Sequence, residues 1–378
     1  MATIAFVSAA AQPPFNADDA LAIAPLEALG HRIVPWVWDA GPLPSTIDAV
    51  VVRACWDYHR KVAGFRAWLD ALEQRAVTVI NPAPLLRWNL DKLYLRELAA
   101  AGVPIPRTVF VPQGPAPQLA ALLDAHGLDD AVVKPAISLS ADRTWRCDRA
   151  GAAARQRDFE ALLADRSALV QAFVPEVIRD GELSLVFFDG DFSHAVRKRP
   201  RPGDFRVQAE HGGSREPCEP PAPVLAQALR WLSHAPRASS YARVDGIVVE
   251  QSFVLMELEL IDPVLFLAAA PLAPTRFAAA IDAAVSRRGA SARTRDERLA
   301  ALLDVEGHVV LRLRSGVVLE GWVEELSALA LRFEHAPSPF FAQAQGSAAQ
   351  APEAQTIALS EIDAVLGDDG RWQPWPPP

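Results

Sequence analysis

Along this chain the spacing of apolar residues switches between the two-residue period of a half-buried strand and the three-to-four-residue period of a helix. Over residues 1–90, TIAFVSAA, HRIVPWVW, DAVVVRA and VTVINP are short apolar runs and predict strands. ADDALAIAPLEALG and KVAGFRAWLDALEQR lie between them with helical spacing. The first is opened by an Asn/Asp cap and closed by Gly30. Such alternation predicts a parallel sheet covered by helices, hence an α/β class.

Further on, NLDKLYLRELAAAG (89–102) predicts a helix with Asn89 as N-cap and Gly102 at its C-terminal end. VPIPRTVFVP reads as extended, LAALLDAHG and DFEALLADR as helices, and AVVKPAI and ALVQAFV as strands. ELSLVFFDGDFSHAVRKRP reads as a hairpin with an Asp-Gly turn, followed by the helix VLAQALRWLSHA. From residue 289 the character changes. The polar-to-amphipathic helix ARTRDERLAALLDVEG precedes HVVLRLRSGVVLEGWVEEL and LALRFEH, which alternate as half-buried antiparallel strands do. Residues 289–378 are read as a separate small all-β barrel, loosely similar to SH3 and Sm-like barrels, with a Pro-rich tail.

Composition narrows this picture. A length of 378 residues with 51% hydrophobic content suffices for two or three domains with a large core. A net charge of −9 gives no polyanion-binding signature. Residues 290–378 hold seven arginines and no lysine against thirteen acids, which argues against a nucleic-acid partner there. An intramolecular cover or a homodimer contact is the expected role of that segment. Three widely spaced cysteines fit a reducing cytosol. The N-terminus lacks a basic region and no run of 18 apolar residues occurs, so a soluble cytoplasmic protein without membrane partners is expected.

LMELELIDP (255–263) places Glu257 and Glu259 on one strand face, roughly 7 Å apart, with Met256, Leu258 and Leu260 on the other. If EQS (250–252) is a three-residue turn, Asp245 of the preceding ARVDGIVV stands opposite Glu257. Three carboxylates so crowded repel unless a cation sits among them. Hard oxygen ligands suit Mg²⁺; the alternative is a solvated strand face. Arg243 shares that face and fits either the steadying of an oxyanion or simple neutralisation of the acids.

Of 37 basic residues only Lys61, Lys92, Lys134 and Lys198 are lysines. Where arginine fills most basic positions, a retained lysine hints that a compact ammonium is wanted. Lys134 ends a strand before the hydroxyl-rich AISLSADRT and fits a phosphate contact or a surface lysine. Lys92 falls in the first turn of the expected helix, where the dipole favours an acid. Lys198 sits in an arginine-rich run. Arg53 and Asp57, around CWDY, end an N-terminal strand. Arg53 fits a substrate carboxylate, or a structural pair with Asp57 and Trp56 in the core.

VVRACWDY, RWNLDKLYLRELAAAG, VVKPAIS, QAFV, FFDGDFSHAVRK, GDFRVQAEHGG, YARVDG and ELELIDP, taken in this order, resemble the ATP-grasp superfamily over about residues 1–285. D-alanine–D-alanine ligase and glutathione synthetase are its best-known members, and the motifs also resemble the cyclo-ligase of cycloserine biosynthesis and its relatives. The resemblance implies an N-terminal α/β domain (1–90), an ATP-grasp domain (91–288; lobes about 105–170 and 171–288) and the extension 289–378. It implies ATP with Mg²⁺, two ions being usual, and small carboxylate and amine substrates joined through an acyl phosphate. Cyclisation, phosphotransfer and a non-catalytic nucleotide-binding adaptor are its rivals.

By that resemblance Lys92 and Lys134 hold phosphates, with Ser138 and Ser140 in the phosphate loop. Gln171, Ala172, Phe173 and Val174 form the adenine hinge, and Glu182 meets the ribose. Asp245, Glu257 and Glu259 look like the metal ligands, and Arg243 like the arginine on the tetrahedral intermediate, with Lys198 or Arg206 on the γ-phosphate. Two departures stand out: Glu-x-Glu replaces the common Glu-x-Asn, and SLSADRT has no glycine.

Overall fold

Strands β1 (Thr3–Ser8), β2 (Arg32–Val37), β3 (Ala49–Ala54) and β4 (Thr78–Ile80) form a parallel sheet in the order β2-β1-β3-β4. Pro35 falls in β2, an edge strand where a missing N–H is tolerated. Helix α1 (Ile23–Ala28) follows a 3₁₀ turn, Asp19–Ala22, whose start is fixed by Asn16 Oδ1 accepting from the Asp18 and Asp19 N–H groups. Helix α2 (Val62–Gln74) buries Phe65, Leu69 and Leu72 against the sheet core. The alternation expected from the apolar runs is what forms.

The segment expected to be one helix from Asn89 is two. Helix α3 (Ala83–Asn89) ends where the expected helix begins, and α4 (Tyr94–Ala100) starts five residues later. Asp91 Oδ1 accepts from Leu93 N in the turn between them, so local side-chain capping interrupts the run. Asn89 is therefore no N-cap. Its side chain accepts from Leu260 N–H and donates to Leu258 C=O, both at 2.8 Å.

An antiparallel sheet follows, β5 (Thr108–Val111), β8 (Ala168–Ala172), β6 (Asp130–Pro135) and β7 (Trp145–Asp148) in spatial order, with α5 (Leu119–Ala125) and α6 (Ala152–Asp165) packed on one core. A second antiparallel sheet runs β11 (Ser214–Cys218), β10 (Asp191–Arg199), β9 (Glu182–Phe188), β12 (Tyr241–Val249), β13 (Ser252–Glu259). Helices α7 (Glu176–Arg179) and α8 (Ala222–Leu232) flank it. Asp189 and Gly190, at φ 52° and 88°, make the β9–β10 turn, the pair of positive φ values that an Asp-Gly hairpin supplies. β13 is an edge strand, and Asn89 and Tyr94 occupy its free backbone groups: Leu258 N–H donates to the Tyr94 hydroxyl at 2.8 Å.

The β12–β13 register differs from expectation in an instructive way. Val249 pairs with Ser252, so two residues, not three, separate the strands. A slip would then misalign the acids, but the register shifts between Asp245 and Gly246, and Asp245 faces Glu257 after all. The extra residue is Met256, a bulge that moves its side chain from the oily face to the face of the glutamates. Gly246 sits at this shift. A Cβ there would meet the Phe253 ring at 2.5 Å and Val254 O at 2.8 Å. Phe253 stacks on Trp231 at 4.9 Å and cannot retreat. Gly246→Ala is expected to cost about 1–3 kcal/mol by overpacking, read as a lowered melting temperature. An unchanged melt would show the bulge to be adaptable.

The computed structural model describes residues 1–250, 252–291, 308–314, 318–326, 330–335, 354–358, 362–366 and 372–374. The chain divides into two units, Met1–Val285 and Ser286–Pro378. Helix α9 (Ala273–Ser291) spans both this division and the expected boundary at 288/289. In the second unit β14 (His308–Leu313), β15 (Val318–Leu326), β16 (Ala330–His335), β17 (Ala354–Ala358), β18 (Ile362–Leu366) and β19 (Trp372–Pro374) form one antiparallel sheet in the order β17-β16-β15-β14-β18-β19. Among the described residues its outer strands do not pair with each other, so the expected closed barrel is not shown. The helix expected over 292–307 and the tail 375–378 lie outside the described residues. Among the described residues no helix is long and apolar enough to cross a membrane.

Candidate active site

A cavity of about 580 Å³ opens in the first unit. It is lined by Lys92, Lys134, Ser138 and Ser140, by residues 171–174, and by Glu182, Lys198, Arg206, Arg243, Asp245, Glu257 and Glu259. Fifteen of the seventeen residues singled out in the sequence thus meet at one place. Its size is that of a small-ligand site.

The local chain explains the placement. Lys134 ends β6, one residue before Pro135 ends the strand, and is half-buried. No carboxylate partner reaches its ammonium among the described residues. Burial pulls it below its ordinary range, with Lys92 adding and Glu257 opposing. Lys92 is not in a helical first turn but in the turn between α3 and α4, so the dipole argument lapses. Its Nζ donates to Ser138 O at 2.8 Å and pairs with Glu257 Oε1 at 2.9 Å. The glycine-free loop after β6 turns through left-handed residues all the same: Ser140, Ala141 and Arg143 have φ near +50°. Each such residue costs about 1–2 kcal/mol. Arg143 anchors the loop to Asp165 (2.9 Å) and Ala161 O (3.0 Å). Ser138 Oγ donates to Pro135 O at 3.2 Å.

The Gln171 side chain is turned away, donating to Thr108 Oγ1 at 2.9 Å. Phe173, Val174, Val177, Val207, Ile247, Met256 and Val132 make the adjoining wall apolar. Arg146 stacks on Phe173 at 3.7 Å. Apart from Phe173 and Val174, the wall has no mark in the sequence, because Val132, Val177, Val207, Ile247 and Met256 are ordinary apolar residues scattered over β6, α7, β12, β13 and a loop.

The carboxylates are tolerated because protein cations stand among them. Arg243 donates to Asp245 through Nε and Nη2, both at 2.9 Å, and pairs with Glu259 at 2.8 Å. Lys198 joins Asp245 at 3.0 Å to Glu182 at 2.5 Å. Ser184 Oγ donates to Asp245 Oδ1 at 2.6 Å. Burial would raise Asp245, but Arg243 and Lys198 hold it well below the usual carboxylate range. Burial lifts Glu259 to about 7, with Arg243 opposing and Glu257 and Asp245 adding.

The sequence argument for a metal is therefore met halfway. Among the described residues no three His, Cys, Asp or Glu side chains are gathered closely enough to hold an ion. Both Asp245 oxygens are engaged by Arg243, Lys198 and Ser184. Glu257 meets Lys92 and Glu259 meets Arg243, each through Oε1, and both residues line the cavity. Two cavity-lining carboxylates of this kind fit a hard divalent cation.

Arg53 and Asp57 are elsewhere. Arg53 is 2% exposed, pairs with Asp19 at 2.7 Å, donates to Pro263 O at 2.8 Å and packs against the Tyr241 and Phe277 rings. Asp57 pairs with Lys61 at 2.6 Å and accepts from Trp38 Nε1 at 2.8 Å. Neither lines the cavity, and they do not pair with each other; Trp56, expected in the core, lines it instead. Arg53 is instead committed to Asp19, an acid 34 positions away that local sequence could not nominate. Arg206 lines the cavity but is held by Asp204 through Nε at 3.1 Å and Nη2 at 2.9 Å. His194 is buried with Nε2 2.8 Å from Leu265 O. The sequence reading gave no role to Asp262, Phe266 or Arg215, which also line the cavity.

Comparisons with known proteins agree with this geometry. The family model "D-cycloserine synthetase DcsG, N-terminal domain" matches residues 4–81. The cycloserine biosynthesis protein DcsG of Streptomyces lavendulae is 35% identical over 205 residues, 52% of this chain and 68% of that protein. The crystal structure of D-cycloserine synthetase DcsG matches 75% of this chain and 99% of its own with a TM-score of 0.68 at 29% identity. D-alanine–D-alanine ligase from Bacillus anthracis complexed with ATP matches 76% of this chain and 98% of its own with a TM-score of 0.54; at 17% identity this shows a shared fold. The chain belongs to the ATP-grasp family of ATP-dependent, C–N bond-forming ligases, among the relatives of D-cycloserine synthetase.

Proposed function

We propose that this protein joins a carboxylate to an amine on small amino-acid-like substrates, using ATP and Mg²⁺ and passing through an acyl phosphate. The observation that carries the reading is the cavity itself, lined by Lys92, Lys134, Lys198 and Arg243 together with Glu182, Asp245, Glu257 and Glu259 beside an apolar wall. Residues 171–174 and the wall around Phe173 and Met256 take the adenine, Glu182 the ribose hydroxyls, and Lys134 and Lys92 the phosphates. Glu257 and Glu259, with Asp245 behind them, would hold Mg²⁺, which supplies charge neutralisation on the transferring phosphoryl group.

The remaining work is positioning and electrostatics. The substrate carboxylate oxygen attacks the γ-phosphorus, ADP leaves, and the amine nitrogen then attacks the acyl carbon and expels phosphate. Arg243 carries a fixed positive charge, kept by Asp245 and Glu259 above its usual range against the pull of burial. That charge faces the oxyanion of the tetrahedral intermediate. Asp245 holds the guanidinium bidentately, so its orientation is set before substrate arrives.

The test is ADP release by the full chain with Mg·ATP and a panel of D- and L-amino acids and dipeptides. Release that requires an added amino acid, with a ligated or cyclised product, is expected. Phosphate transfer without amide formation, or nucleotide binding without turnover, would refute it.

A further inference from the structure

Beyond the nucleotide machinery the cavity contains a group that the mechanism above does not use. Asp262 follows β13 in the loop leading to Phe266; it is 3% exposed, yet it is among the residues that line the cavity. Its Oδ2 has no hydrogen-bond partner among the described residues. Buried polar atoms are nearly always satisfied, so an orphan carboxylate oxygen on a residue that lines a ligand-sized space asks for a donor. Burial holds this carboxyl well above its usual range, with Glu259 adding and Arg53 opposing. The Cys55 backbone N–H reaches this carboxyl, so it is Oδ2 alone that lacks a donor.

Its surroundings suit one end of a small zwitterion. Trp56 lines the same cavity and donates through Nε1 to Asp262 O at 3.3 Å, which ties this loop to the CWDY segment. Phe266 is buried in a left-handed conformation (φ 52°), with the Arg215 guanidinium 5.3 Å from its ring. Arg215 is exposed, lines the cavity and has no carboxylate partner among the described residues. A carboxylate with one oxygen lacking a donor and a guanidinium lacking an acid, with aromatic rings beside each, present the two charges complementary to an amino acid.

We infer that Asp262 recognises the amino group of the substrate, its Oδ2 accepting from the N–H of a small amino-acid-like amine. This rests on the ligase reading and deepens it, because it assigns the amine, rather than the acid, to the loop between β13 and α9. The competing explanation is a buried water bridging Asp262 to Arg53 Nη1, which also lacks a partner.

The experiment uses the full chain with Mg·ATP and alanine, serine and their D-enantiomers, each beside the analogue without an amino group (lactate, glycerate). The wild type is expected to release ADP with an amino acid and not with its deaminated analogue. Asp262→Asn is expected to raise the KM for the amino acid at least tenfold, with the KM for ATP and the melting temperature unchanged. An unchanged amino-acid KM, with or without a shifted melt, would overturn the assignment in favour of the bridging water. Equal stimulation of the wild type by lactate and alanine would overturn it without any variant. If no panel member stimulates the wild type although Mg·ATP binds, the ligase reading falls and this inference falls with it.

Discussion

Lys134→Ala is expected to reduce amino-acid-dependent ADP release by about 10³-fold, or about 4 kcal/mol of transition-state stabilisation, while the protein stays folded. The magnitude follows from what Lys134 lacks. Lys92 and Lys198 are tied to Glu257, Glu182 and Asp245. Lys134 has no such partner among the described residues and lines the cavity from the end of β6. An ammonium held half-buried against its own desolvation is costly unless an anion arrives, and triphosphate oxygens are that anion. Removing it should leave β6 intact, since the strand is held by backbone pairing to β7 and β8. Turnover should therefore fall with the melting temperature within a degree or two of wild type. Full activity in this variant would sink the phosphate assignment.

For Glu257→Gln the change is subtler in shape and comparable in effect, about 10²- to 10³-fold in turnover. Glutamine keeps an acceptor for Lys92, whose Nζ also donates to Ser138 O, so the local packing survives. What disappears is the charge on one of the two glutamates that line the cavity beside Lys92 and Arg243. The Mg²⁺ concentration for half-maximal rate should rise at least tenfold. A variant with normal Mg²⁺ dependence would show that Glu257 serves Lys92 alone.

How much of this could be read beforehand depended on range. The Asp189-Gly190 turn, the strands of the first sheet and the order of motifs are local, and periodicity carries them. Helix α4 was misplaced at its start because Asp91 offers a competing cap, which helical spacing does not register. The pairing of Asp245 with Glu257 came out right through a wrong turn length. A two-residue turn and the Met256 bulge compensate each other, and a bulge leaves no mark on an alternating pattern. Arg53 was misread because strand-end position says where a side chain begins and not which distant acid will claim it.

By itself, then, the sequence determined the α/β class, the parallel first sheet, the family and the residue types gathered in the cavity, since these rest on short-range periods and motif order. Only the tertiary structure decided how the acids are neutralised: Arg243, Lys198 and Lys92 reach them across strands and turns, over distances that local patterning cannot encode. It alone also decided that Arg53 is closed off by Asp19 while Asp262 Oδ2 is left without a donor. Burial and partner choice are set when separate elements pack, because a charge leaving water must find its counter-charge wherever the fold puts one.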